Sequence, residues 1–194
     1  MASGMTTLLA KVAPDATDMI RADHARVLAT FHRYKTDASP ATKRSLVATI
    51  CLALDVHAQI EEEIFYPAMG SVDSALVGKF IPEHDRMRGL IAALRNADPA
   101  DAQYDMQLAE LMHEVMHHVA DEETRLLPQA ERVLGERLGE LGARMMKRRL
   151  QLMAPHAGEM TRHKARAMPK SNLLVAAAAV VAGVLLFRHV RRAI

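Results

Sequence analysis

A chain of 194 residues with 25 basic and 23 acidic side chains, 4% aromatic residues and no tryptophan has room for one good core and a tail. Its net charge of +2 is too small to argue for a nucleic-acid partner, and its single cysteine, Cys51, excludes an internal disulfide and fits a reducing compartment. Plentiful Ala, Leu, Met, Arg and Glu, without period-two runs of Val, Ile and Thr, predict an all-α fold.

Residues 1–14 read as an N-terminal arm without a secretory signal, because Lys11 interrupts a weakly apolar start. The first predicted helix covers roughly 15–36, with Asp15 or Thr17 as cap, and ends near Ser39-Pro40. The second covers about 41–66 and stops at Pro67, with Gly70 beyond. The third ends near Asn96. Pro82 precedes its histidine, so Val72 to Phe80 reads as a separate short helix or a kinked entry. The fourth covers about 101–127 and stops at Pro128. Short connections between helices of this length predict an up-down-up-down four-helix bundle. A basic fifth helix follows at 131–153, and Pro155 and Gly158 open a linker.

One pattern occurs twice along these helices. Asp23-His24, His57, Glu61, Glu62 and Pro67 are matched by Glu83-His84, His118, Glu122, Glu123 and Pro128. The offset is 60 for the first histidine and 61 for the second histidine, the glutamates and the proline. Helical spacing puts these residues on core-facing stripes. The stripes run Ile20, His24, Val27, Phe31; Leu46, Ile50, Ala53, His57, Glu61, Ile64; Phe80, His84, Met87, Ile91, Leu94; and Leu108, Leu111, Val115, His118, Glu122, Leu126.

A lone histidine on an apolar stripe is ordinarily a hydrogen-bonded core residue. Four of them, one per helix and accompanied by two buried carboxylates, are a different matter. An unpaired carboxylate taken out of water costs several kcal/mol, and bound metal ions supply the compensation. His24, His57, His84 and His118 with Glu61 and Glu122 give each of two metals two imidazoles and shared bridging carboxylates. Such ligands suit iron, manganese or zinc; the absence of thiolates argues against copper(I) or an iron–sulfur cluster.

Other candidates are weaker. His117 lies with Glu110, His113 and Asp121 on a polar face. Glu110-x-x-His113 and Glu114-x-x-His117 echo a carboxylate-bridged di-metal motif, but both lie on one helix where two are required. Glu62, Glu63 and Glu123 turn away from the stripes and are expected to be solvated, with Glu123 able to replace Glu122 after modest rotation. Cys51 lacks a basic environment and reads as inert, and the methionines read as core filler.

The segments DHARVL around His24, HAQIEEEIFYP from His57 to Pro67, EHDRM around His84 and HVADEETRLLP from His118 to Pro128 resemble the hemerythrin-like, or HHE cation-binding, family over residues 15–130. The resemblance implies a non-haem di-iron centre with His24, His57, His84 and His118 as terminal ligands and Glu61 and Glu122 as bridges. Oxygen-carrying members have a fifth histidine from an H-x-x-x-H on the third helix, where this chain has Arg88. The four-His, two-Glu set is more similar to bacterial proteins that repair iron centres after nitrosative or oxidative stress. It implies a small diatomic ligand or peroxide as partner, handled either by catalytic turnover or by binding alone.

The basic stretch 131–170 carries eight Lys and Arg from Leu141 to Lys170 against one acid, Glu159. The uncharged run Leu173–Phe187 follows, then Arg188, Arg191 and Arg192. Fifteen residues reach only about 22 Å of a ~30 Å hydrocarbon core, a gap that Ser171, Asn172 and snorkelling Lys170 and Arg188 narrow. The run has no polar face, which a helix packed on the bundle would keep. The expectation is therefore a transmembrane helix at 171–190 and a basic tail at 191–194. Positive charge before the span predicts a single-pass inner-membrane protein with a cytoplasmic N-terminal domain. Ala179 and Gly183 form a small-xxx-small pair through which two spans could make a homodimer.

Overall fold

The computed structural model describes residues 14–158, and every regular element within them is helical. Helix α1 spans Ala16–His32, and its first turn is closed by the Asp15 carboxylate, which accepts from the Asp18 N–H at 2.9 Å. Helix α2, Pro40–Ile60, starts with Ser39 as cap and a proline at its first position, where the missing N–H costs nothing. It runs into a π-helical turn, Glu61–Phe65, and on into α3, Tyr66–Gly70. The short α4, Ser74–Val77, precedes α5, Phe80–Asn96, which is the separate entry helix expected before Pro82. Helix α6, Ala102–Asp121, leads into a second π-helical turn, Glu122–Leu126, then α7, Leu127–Leu134, and α8, Arg137–Met153.

Helix α1 packs on α2, α2 on α5, α5 on α6, and α6 back on α1, which closes a four-helix bundle. Helix α8 lies across α1, α2 and the first π turn. It begins at Arg137 rather than at 131, because Gly135 turns the chain with a φ of +46°, a conformation open to glycine. Gly142 allows α8 to approach the start of α1: a Cβ there would stand 2.3 Å from the Pro14 carbonyl oxygen.

The expected stops at Pro67 and Pro128 do not occur. Proline breaks an α-helix because it lacks an N–H and its ring meets the carbonyl four residues back. Here each proline follows a turn widened by one residue. Tyr66 N–H bonds the Glu61 carbonyl and Leu127 N–H bonds the Glu122 carbonyl, five residues back in each case. The chain continues in helical form past both prolines.

The four stripes face inward, with Ala53 alone among their members half-buried. They do not build one continuous apolar core. Ile20, Ile60, Phe65, Tyr66, Phe80 and Leu126 belong to one cluster, toward α8. Val27, Leu54, Met87, Ile91, Val115 and Val119 belong to another. On each helix the histidine lies near the change from one cluster to the other, and all four histidines and both glutamates are buried. The expected span at 171–190 lies outside the described residues. Among the described residues no helix is long and apolar enough to cross a membrane.

Candidate metal centre

The ring nitrogens meet in two pairs. His24 Nε2 stands 3.2 Å from His57 Nε2, and His84 Nε2 stands 3.4 Å from His118 Nε2. Two imidazoles on one metal at about 2.1 Å, with tetrahedral angles, would hold their nitrogens about 3.4 Å apart. Glu61 reaches both pairs, with Oε1 3.2 Å from His57 Nε2 and Oε2 3.4 Å from His84 Nε2. Glu122 does the same through Oε2, 3.2 Å from His24 Nε2 and 3.7 Å from His118 Nε2. The structure thus brings all six sequence candidates together, each pair of imidazoles sharing both carboxylates with the other.

The electrostatics are unbalanced without a cation. Glu61 Oε1 and Glu122 Oε2 are buried and find no hydrogen-bond partner among the described residues. Burial and the neighbouring Glu122 push the Glu61 carboxyl well above its usual range. Burial alone would raise Glu122 too, yet the imidazoles of His24 and His118 outweigh it and hold that carboxyl down to about 2. Burial would lower His24, but Glu122, Glu61 and Glu123 lift it to about 8. His57 goes the other way, well below its ordinary value, through burial and the charge of His24. Four inward nitrogens and two buried oxygens without a partner fit a pair of divalent or trivalent ions. His24, His57, His118 and Glu122, and separately Glu61, His84 and His118, cluster closely enough to ligate one.

Three of the four imidazoles are held from behind by a carboxylate. The Nδ1–H of His24 donates to Glu123 at 2.9 Å, that of His84 to Glu62 at 2.8 Å and that of His118 to Glu83 at 3.0 Å. Asp23 Oδ2 lies 3.6 Å from His57 Nδ1, too long for a hydrogen bond. Glu62 and Glu123 are therefore not solvated spectators, contrary to the stripe reading: they are half-buried and fix a tautomer that leaves Nε2 free for a metal. The arrangement is reciprocal. Glu62 of the first repeat serves His84 of the second, and Glu123 of the second serves His24 of the first. Glu63 behaves as expected, exposed and paired with Arg148 at 2.6 Å.

Two further residues escaped the stripe argument. The Tyr66 hydroxyl lies 3.1 Å from Glu122 Oε1 and 3.3 Å from Glu61 Oε2, and its ring stacks on His84 at 5.5 Å. It is fully enclosed, and burial followed by the two carboxylates pushes its ionisation well above the ordinary phenol value. Arg88, at the position of the missing fifth histidine, turns its guanidinium to both Glu62 oxygens at 2.6 Å and to Asp85 at 2.9 Å. A cavity of about 20 Å³ adjoins the histidines, walled by Val27, Leu54, Met87, Ile91 and Val115. That is room for a water or a diatomic molecule. His117 and His113 are exposed on the far face of α6, and Cys51 is buried with its thiol pushed up to about 12 by that burial.

Comparisons with known proteins agree with this geometry. A crystal structure of a hemerythrin HHE cation binding domain-containing protein from Mycobacterium kansasii has a similar fold, with a TM-score of 0.65 at 18% identity over 76% of this chain and 93% of that one. A DNA nickase from Nostoc sp. is 27% identical over 110 residues, 56% of this chain but only 31% of that protein. The model of the hemerythrin HHE cation binding domain matches residues 15–130, the stretch that holds all four imidazoles and both carboxylates. With the bundle, the buried ligand set and that match in agreement, the chain belongs to the hemerythrin HHE cation-binding family.

Proposed function

We propose that the bundle holds two non-haem irons and binds or transforms oxygen, nitric oxide or peroxide in a stress response. His24, His57, His84 and His118, with Glu61 and Glu122 between the two imidazole pairs, would hold the ions. The observation that carries this reading is the pairing of inward nitrogens at 3.2 and 3.4 Å across two carboxylates with unsatisfied oxygens. Iron bound there would supply open coordination positions and electrons for a small oxygen- or nitrogen-centred ligand.

The protein's own groups prepare that chemistry. Glu123, Glu62 and Glu83 draw the Nδ1 protons and make the opposite nitrogens better donors. Val27, Leu54, Ile91 and Val115 narrow the adjoining cavity, so that it admits only small ligands. Tyr66 keeps its phenolic proton beside Glu122 Oε1, where it can serve an anion formed within the site. The named DNA activity of the Nostoc relative is not carried over, since the shared stretch is 31% of that protein.

Metal analysis of the aerobically purified full chain tests the reading, with about two irons per chain expected. His57→Ala and Glu61→Ala should lose metal, and His117→Ala should retain it. Equal loss from His117→Ala and His118→Ala would sink the assignment. Catalytic loss of nitric oxide or peroxide would favour an enzyme. Stoichiometric binding alone would favour a sensor, a reading supported by the ion pair that joins α8 to Asp23 behind His57. The run Leu173–Phe187 is proposed to tether the bundle to the cytoplasmic face of the inner membrane, with Ala179 and Gly183 at any contact between two spans.

A further inference from the structure

A second cavity, of about 360 Å³, opens between α1, α2 and α8 on the opposite side of Asp23 from His57. Leu46, Ile50, Ala53, Val56 and Met153 give it apolar walls. Arg26, Arg33, Arg149 and Asp23 supply its charged groups, with Thr30 and Thr49 beside them. Arg26 bonds one oxygen of Asp23 at 2.7 Å, and Arg149 pairs with the other. Two guanidiniums thus share one carboxylate, which leaves the cluster a positive charge in surplus. Burial pulls Arg149 below its ordinary value, as expected of a cation whose lost hydration is not fully replaced. A pocket with apolar walls and a few convergent polar groups is the usual form of a small-molecule site.

We propose that this cavity binds a single-chain anionic amphiphile, a fatty carboxylate, with its head on Arg149 and Arg26 and its chain against Leu46, Ile50, Ala53 and Val56. The surplus charge selects an anion over a neutral or cationic amphiphile. Among the described residues no aromatic side chain lines the cavity, so none of them gives a stacked ring a platform. Occupancy also reaches the metal layer. The Asp23 oxygen paired with Arg149 is the one 3.6 Å from His57 Nδ1. A carboxylate that draws Arg149 away frees that oxygen to close on the His57 N–H and so to re-aim a proposed iron ligand. The binding stands apart from the di-iron reading; this coupling rests on it.

The test uses the full chain held in phosphatidylcholine nanodiscs and a diazirine-tagged dodecanoate, with the labelled peptides mapped by mass spectrometry. Label is expected between Leu46 and Val56 and at Met153. Unlabelled dodecanoate should displace it and dodecylammonium should not. Across shorter chains, affinity should fall about fourfold for each buried methylene removed. Arg149→Gln should weaken labelling at least about tenfold, the loss of one charge-assisted contact. Ala53→Phe should block labelling by filling the cavity while iron content stays unchanged. Label confined to residues 173–187 would mean partition into the bilayer and would overturn the proposal, as would equal labelling of both variants or no labelling at all. In the iron-loaded protein dodecanoate should shift the visible absorption; labelling without a shift removes the coupling and leaves the site. Two irons per chain without labelling would sink this proposal and leave the di-iron reading standing.

Discussion

Tyr66 has no counterpart in the second repeat, where the equivalent position is Leu127. It is the buried group that breaks the two-fold likeness of the metal layer, so its removal should be felt unequally by the two halves. Tyr66→Phe keeps the ring contacts with Phe65 and Phe80 but takes a hydroxyl from Glu122. We expect metal retention, a changed visible spectrum and a loss of about 1–2 kcal/mol in the metal-free protein by urea unfolding. His24 governs the pH dependence. Its value is raised to about 8 in the folded, metal-free chain, so its contribution is complete below the ordinary 6.5 and is lost as pH rises through 8. The same proton must leave before a metal binds. Between pH 6.5 and 8.5 the metal-free Tm should fall while metal affinity, read by chelator competition, should rise; a flat affinity would remove His24 from the ligand set. The six inward residues were legible because helical periodicity carries them. Glu62, Glu83 and Glu123 were not, because each serves an imidazole on another helix, and single-helix periodicity does not see across the bundle. Their only trace was that Glu62 and Glu123, like Asp23 and Glu83, recur in the register of the repeat. Tyr66 left no trace, because its position reads as apolar core.

Between helices, the two π turns do what the prolines seemed to forbid. Each inserts one residue directly after a histidine–glutamate pair, which lets the ligands face inward and then rotates the following residues into the apolar cluster beside α8. A sequence that places a proline at the end of an apolar stripe, as at Pro67 and Pro128, reads as a stop, because the widened turn is fixed by tertiary packing rather than by local propensity. The start of α8 was misplaced for a related reason: Gly135 adopts its positive φ only where α8 is folded back over α1 and α2. That return depends on Gly142. Gly142→Ala should cost about 1–3 kcal/mol because its methyl would press on the Pro14 carbonyl and the start of α1. Gly139→Ala, on the same helix with nothing within 4 Å of a new Cβ, should gain up to about 1 kcal/mol. Denaturant unfolding of the pair separates close packing from helix propensity, and equal effects would contradict the packing account.

At the scale of the whole molecule, the proposed membrane attachment and the proposed metal binding should be separable. The proposed ligands all precede residue 123, whereas the apolar run starts at Leu173. The full chain should stay in the membrane fraction after high-salt and alkaline washing. Deleting residues 171–194 should release protein that still carries iron. Extraction by salt alone would mean that the basic stretch holds the chain electrostatically. The division of the core has a consequence for how the molecule opens. Two greasy clusters are separated by a slab of four imidazoles and two carboxylates, which with ions bound is a rigid cross-brace between all four helices. Without ions, that slab is the weakest plane in the bundle, since two buried carboxylate oxygens lie in it without a partner. Amide hydrogen exchange should then find two cooperative units in the metal-free chain, one around Phe65, Leu127 and α8, the other around Ile50, Ile91 and Leu111. Loading the metals should weld them into one, with amides on both sides of the layer exchanging at a single, slower rate.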